Sequence, residues 1–149
     1  MQHEWLLKNF DSLSPRELYS ILQLRNEVFV VEQNCVFQDA DNNDQQAFHL
    51  MCFQTGKLLA YTRLLPAGSV YELASIGRVV TSPSIRGSGV GRELMERSIN
   101  AVYNLWGRQS IKIGAQLYLK KFYQSFGFEQ VSDTYLEDGI EHIHMIKKI

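Results

Sequence analysis

Apolar residues recur along this chain with two periods, and the switches between them mark its elements. Leu18, Ile21, Leu22, Val28 and Phe29 form a stripe at helical spacing, which predicts an amphipathic helix with one buried face. Its start is written in Ser14-Pro15-Arg16-Glu17. The serine can accept an amide of the first turn, the glutamate can return the bond, and proline sits where no amide is needed. Residues 32–46, EQNCVFQDADNNDQQ, are polar and rich in turn formers, so they read as an exposed loop. AFHLMCF and KLLAYTRLL flank Gln54-Thr55-Gly56 and predict an antiparallel hairpin.

After a break at Pro66-Ala67-Gly68, ASIGRVVTS reads as a buried strand. RELMERSINAVYNLW then sets Leu94, Met95, Ile99, Val102 and Trp106 on one side of a long helix, which Gly107 stops. SIKIGAQ is a further strand, LYLKKFYQSFG a further helix, and 128–148 two strands turning at Glu137-Asp138-Gly139. Antiparallel hairpins at both ends and a strand–helix–strand crossover between them define an α+β class with a mixed sheet. With 149 residues and no repeat or linker, the expectation is one domain over 1–149.

Composition narrows the partners. Hydrophobic residues make up 45% and charged residues 21%, with a formal net charge of -1. A packed globular core is therefore expected, and no global field draws in nucleic acid or an anionic membrane. The start of the chain has no charged-then-apolar leader pattern, and no apolar run reaches membrane length. Cys35 and Cys52 lack C-x-x-C spacing and read as reduced thiols of a cytoplasmic protein.

The candidate chemistry begins at SIRGSGVGRELME, residues 84–96. Here glycine-rich backbone meets a helix start. Unpaired amides and the helix dipole make such a place attractive to phosphate, and missing Cβ atoms let the anion approach. Arg86 and Arg92 can add charge-assisted contacts. The spacing lacks the Lys-Ser/Thr of a nucleoside-triphosphate loop, and its G-x-G-x-G run is not a dinucleotide fingerprint. A tight structural turn is the alternative.

Arg86-Gly87-Ser88-Gly89-Val90-Gly91 resembles the pyrophosphate loop of the GNAT superfamily of acyl-CoA N-acyltransferases. FYQSFGF, Phe122 to Phe128, resembles a second signature of that superfamily. LRNEVFVVEQNC, QDADNND with His49, IGRVV, GAQ and EDGIEHIHM extend the likeness to the ElaA-type subgroup, over Leu24 to Met145. The resemblance implies the GNAT fold, with splayed central strands, and acetyl-CoA as acyl donor to an amine. It further implies that the backbone of Val79, Val80 and Thr81 binds the pantetheine arm. Gln116 and Phe122 would lie beside the cofactor, and Tyr123 would face the thioester sulfur as general acid.

Glu32, His49, Glu72, His142 and His144 are all available as a base. The resemblance sets Glu32 and His49 beside the acceptor loop, while His142 lies on a terminal strand. Asp39, Asp41, Asn43 and Asp44 start like a calcium loop, but Asp44 stands where glycine is needed and Leu50 where glutamate is needed. No metal is expected. A solvated turn is the default reading of this segment, and an acidic rim for a cationic amine the second. The acceptor is expected to be a small-molecule or peptide amine, and an exposed edge at the C-terminal hairpin could pair two copies. The alternative function is an acyl-CoA sensor that keeps the loop without the chemistry.

Overall fold

The computed structural model describes residues 2–149. Its strands are β1 Glu4–Asn9, β2 Phe48–Gln54, β3 Lys57–Leu65, β4 Ala74–Thr81, β5 Ile111–Gln116, β6 Phe128–Gln130, β7 Tyr135–Glu137 and β8 Ile140–Lys147. They form one sheet in the order β1-β2-β3-β4-β5-β8-β6, with β7 also paired to β8. Only β4 and β5 run parallel, because only they are joined by a crossover helix. The helices are α1 Pro15–Arg25, α2 Val90–Trp106 and α3 Lys120–Gln124.

Alternation along the strands sorts the core into two layers. Met51 and Tyr61 meet Ile21 and Leu24 of α1 on one face. Their neighbours Leu50, Cys52 and Ala60 meet Val90 and Leu94 of α2 on the other. Further along that second face, Met95, Ile99 and Val102 pack on Ile111, Ile113 and Met145.

The capping box closes as its spacing predicts, with Glu17 N donating to Ser14 Oγ at 3.1 Å and Ser14 N donating to Glu17 Oε1 at 2.8 Å. The helix then departs from expectation. At Asn26 it widens into a π-helical stretch, Asn26–Glu32, a rare geometry that recurs at functional sites. The stretch ends at Glu32, capped by Gln33, and both residues face the cavity described below. Three local readings need correction. β1 adds a strand whose weak alternation hid it. Of residues 117–127, only Lys120–Gln124 is α-helix, entered through a 3₁₀ turn. Residues 128–148 form three strands, with β6 and β7 lying along the same edge of β8.

Two irregularities of β4 position the site. It pairs with β5 only at Ala74↔Ile111 and Ser75↔Lys112, after which the two strands diverge. On its other side, Gly77 faces Arg63 and Val80 faces Tyr61. Arg78 and Val79 therefore stand opposite Thr62 alone, a β-bulge, and Arg78 has φ +50°.

Candidate active site

The divergence of β4 and β5 opens a cavity of about 1120 Å³. β4 contributes Val79, Val80 and Thr81, the helix-α2 end contributes Arg86, Gly87 and Gly91, and α3 contributes Phe122 and Tyr123. Among the described residues, the β5 edge of β4 beyond Ser75 has no strand against it. Its backbone donors and acceptors are thus available to an extended ligand.

At the head of α2, Gly87 and Gly89 take φ +81° and +91°, a region other residues enter only at a cost. Gly89 caps the helix without a side-chain bond, and the first helical bond runs from Glu93 N to Gly89 O at 3.2 Å. The amides of Val90, Gly91 and Arg92 precede that bond and have no helical acceptor. Val90 buries its side chain in the core, so its amide is what it can offer. A Cβ on Gly91 would meet only Thr81 Cγ2, at 3.9 Å. Ser88 turns its hydroxyl back onto Ile85 O.

The two arginines of the loop already have partners. Arg86 makes a two-pronged bond to Glu32, at 2.7 and 2.6 Å. Arg92 donates to Ser125 Oγ at 3.0 Å and lies over the Phe126 ring.

Tyr123 is 5% exposed, wedged edge-on against Phe122 and Phe128. Burial pushes its phenol above the ordinary tyrosine value, so it stays protonated at neutral pH. Gln116 and Gln33 pair their amides at 3.3 Å across the mouth of the split. His142 lines the cavity. Its Nδ1 lies 2.7 Å from Ile140 O, a carbonyl that only accepts, so Nδ1 carries a hydrogen. Nε2 lies 3.6 Å from Glu137.

The other proposed bases fare differently. Glu32 lines the cavity, but its hydrogen bonds from Arg86 hold the carboxyl below its ordinary range, which weakens it as a base. His49 is 0% exposed and is not part of the cavity wall. Its Nδ1 lies 2.6 Å from the Tyr61 hydroxyl and its Nε2 2.9 Å from Asp44 O. Burial lowers its pKa, and both ring nitrogens are engaged inside the core, away from the cavity where an acceptor-side base was expected. Glu72 and His144 also lie off the cavity wall.

The acidic segment requires the largest correction. It is no solvated turn: Asp39 and Asp44 are buried. Arg25 binds Asp39 and Asp44, each at 2.7 Å. Arg63 binds Asp41 at 2.7 Å and Asp44 at 3.1 Å, and Arg78 reaches Asp39 at 2.8 Å and Asp41 at 3.3 Å. These carboxylates are spent on arginines from α1, β3 and β4. Among the described residues no group of His, Cys, Asp and Glu is arranged to hold a metal.

Asp41, which the acidic-rim reading includes, lines the cavity, and sequence reasoning missed Arg63, Arg78, Tyr71 and Tyr135 there. One signal was present. Arg63 interrupts an apolar strand and Arg25 sits on the apolar side of α1, and an arginine at a buried position demands carboxylates.

The chain matches the family model described as an acetyltransferase (GNAT) domain over residues 14–149. It is 41% identical over 148 residues to the protein ElaA of Escherichia coli (strain K12), covering 98% of this chain and 97% of that protein. The crystal structure of Escherichia coli ElaA superposes with a TM-score of 0.93, covering 99% of this chain and 100% of the other. An acyl-CoA N-acyltransferase from Pseudomonas aeruginosa superposes at 0.94 with 43% identity, covering 98% and 99%. A coenzyme A complex of an aminoglycoside 6'-N-acetyltransferase shares the fold, at 14% identity, TM-score 0.71 and coverage of 96% of each chain. The chain belongs to the GNAT acetyltransferase family.

Proposed function

We propose that the protein transfers an acetyl group from acetyl-CoA directly to a primary amine held in the same cavity. One observation carries the reading. A strand edge left open by the β4–β5 divergence leads to the bare amides of α2, with Tyr123 on the same cavity wall. The coenzyme A bound by the structurally similar aminoglycoside acetyltransferase supports the choice of donor.

In this reading the diphosphate lies against the amides of residues 87–92, with Arg86 and Arg92 as charged partners. The pantetheine arm extends along Val79, Val80 and Thr81, with Gln116 and Phe122 beside it. The thioester carbonyl meets the backbone amide of Val79. An alkyl ammonium, with a pKa of about 10.4, must lose a proton before it attacks. His142 Nε2 takes that proton, directly or through water, since His49 is sealed in the core and Glu32 is held by Arg86. The amine nitrogen attacks the carbonyl carbon, the C–S bond breaks, and Tyr123 protonates the departing thiolate; the second proton of the acylated nitrogen leaves through water as the neutral amide forms, which restores the Tyr123 phenol.

Positioning two substrates contributes about 7–11 kcal/mol. One oxyanion donor contributes about 3–4 kcal/mol, and acid–base help about 10²–10⁴ in rate. Alignment of the substrates therefore dominates. The test is calorimetry with acetyl-CoA, followed by thiol release across a panel of amines. Saturable binding and amine-dependent thiol release support the reading. Binding without turnover on any amine turns it toward a sensor, and no binding overturns both.

A further inference from the structure

We propose that Arg78, with Asp39 and Asp41 behind it, positions the backbone amide of Val79 toward the thioester carbonyl; this rests on the acetyl-transfer reading above. The bulge removes Val79 from the ladder with β3: Gly77 and Val80 keep their partners, and the two residues between them face Thr62 alone. On the opposite side β5 has already diverged. Among the described residues Val79 thus has no register partner in either neighbouring strand, as a donor to a substrate oxygen requires.

Such a bulge needs support. Arg78 has φ +50°, a conformation that non-glycine residues keep only where their surroundings hold it. The holding group is the guanidinium. Its Nε lies 2.8 Å from Asp39 Oδ1, and its Nη2 donates to Asp39 O at 3.0 Å and Asp41 Oδ2 at 3.3 Å.

Both carboxylates are anchored in turn. Asp39 accepts from Arg25 of α1 at 2.7 Å, and Asp41 accepts from Arg63 of β3 at 2.7 and 2.9 Å. Asp44 joins those two arginines at 2.7 and 3.1 Å. The bulge is therefore braced against the helix packed on it and the strand paired to it. Its effect on β4 is visible in the packing. Ile76 and Val79 both reach the α2-side core, while Val80 reaches the α1 side, a shift in phase that a regular strand cannot make.

A merely stabilising network predicts lower melting temperatures and nothing more. The positioning role predicts a change in the bound thioester. Acetyl-CoA labelled with ¹³C at the carbonyl is bound to the protein, and the carbonyl stretch is read by infrared difference spectroscopy beside calorimetry and turnover. In the unaltered protein the stretch lies below that of free acetyl-CoA. Asp39→Asn and Arg78→Gly move it back toward the free value and lower turnover about tenfold or more, with little change in acetyl-CoA affinity. Glycine adopts the positive φ without strain, so Arg78→Gly isolates the loss of the guanidinium. Asp41→Asn, nearer the surface, serves if Asp39→Asn fails to fold.

An unshifted stretch in variants that bind acetyl-CoA overturns the proposal, as does a loss of affinity that tracks the melting temperature. If the unaltered protein binds no acetyl-CoA, the acetyl-transfer reading itself fails. If it binds with an unpolarised carbonyl, acetyl transfer survives and the role of Val79, with its brace, does not.

Discussion

Replacing Gly91 with alanine is expected to make the protein more stable and a weaker binder of coenzyme A. Gly91 lies in the first turn of α2 with ordinary negative φ, and a Cβ there meets nothing nearer than Thr81 Cγ2 at 3.9 Å. Nothing in the folded chain asks for glycine at this position. Removing it gains up to about 1 kcal/mol through the lower entropy of the unfolded chain. For a chain of this size that raises Tm by roughly 2–4 °C. The same methyl lies beside Thr81 on the cavity wall, at the place proposed for the diphosphate. A hydrogen bond to a charged group is worth about 1.5–3 kcal/mol, so losing one weakens binding about tenfold to a hundredfold. Thermal scans without ligand and calorimetry with coenzyme A read the two effects separately. Pantetheine, which lacks the diphosphate, should bind the variant and the unaltered protein alike. Gly89→Ala gives the opposite stability change, because φ +91° costs an alanine about 1–2 kcal/mol. A stabilised Gly91→Ala protein with unchanged coenzyme A affinity refutes the assignment of the diphosphate to this loop.

Tyr123→Phe should retain acetyl-CoA binding and lower turnover about 10²-fold or more; unchanged turnover with a saturating amine removes the general acid. Glu32→Gln releases Arg86 from its two bonds and removes a carboxylate from beside the loop, so coenzyme A should bind more tightly at low salt, with the gain shrinking as salt screens it. Weaker binding of the titrated ligand contradicts this. Burial raises the carboxyls of Asp41 and Asp44, but hydrogen bonds from Arg63 and Arg25 more than offset it, leaving both depressed. Their stabilisation is present above an unfolded value of about 3.9 and is lost as pH falls from there toward the folded values. His49 is depressed by burial, so the unfolded chain takes its proton first and stability declines as pH drops below about 6.5. Urea unfolding across pH should therefore show two acid slopes, with His49→Gln flattening the upper one and Asp44→Asn the lower. At neutral pH Asp44→Asn should cost about 3–5 kcal/mol, since it leaves charge in buried arginines unbalanced.

What the order of residues determined alone is the local geometry. Ser14 and Glu17 face each other across one turn, so the capping box follows from four adjacent residues. Gly87 and Gly89 permit positive φ wherever the loop is placed, and the stripe of α2 sets its buried face. These are preferences of neighbouring atoms, and they carried both the mixed sheet and the glycine loop. Tertiary structure decided which side chains meet. The cavity exists because β5, paired with β8 along its whole length, parts from β4 after Ser75. Asp39 finds Arg25 and Arg78 across separations of 14 and 39 residues, and His49 spends both ring nitrogens in the core. Whether an aspartate faces solvent or a guanidinium, and whether a histidine is a base or core packing, depends on burial and charge partners supplied by distant segments. No local period encodes those.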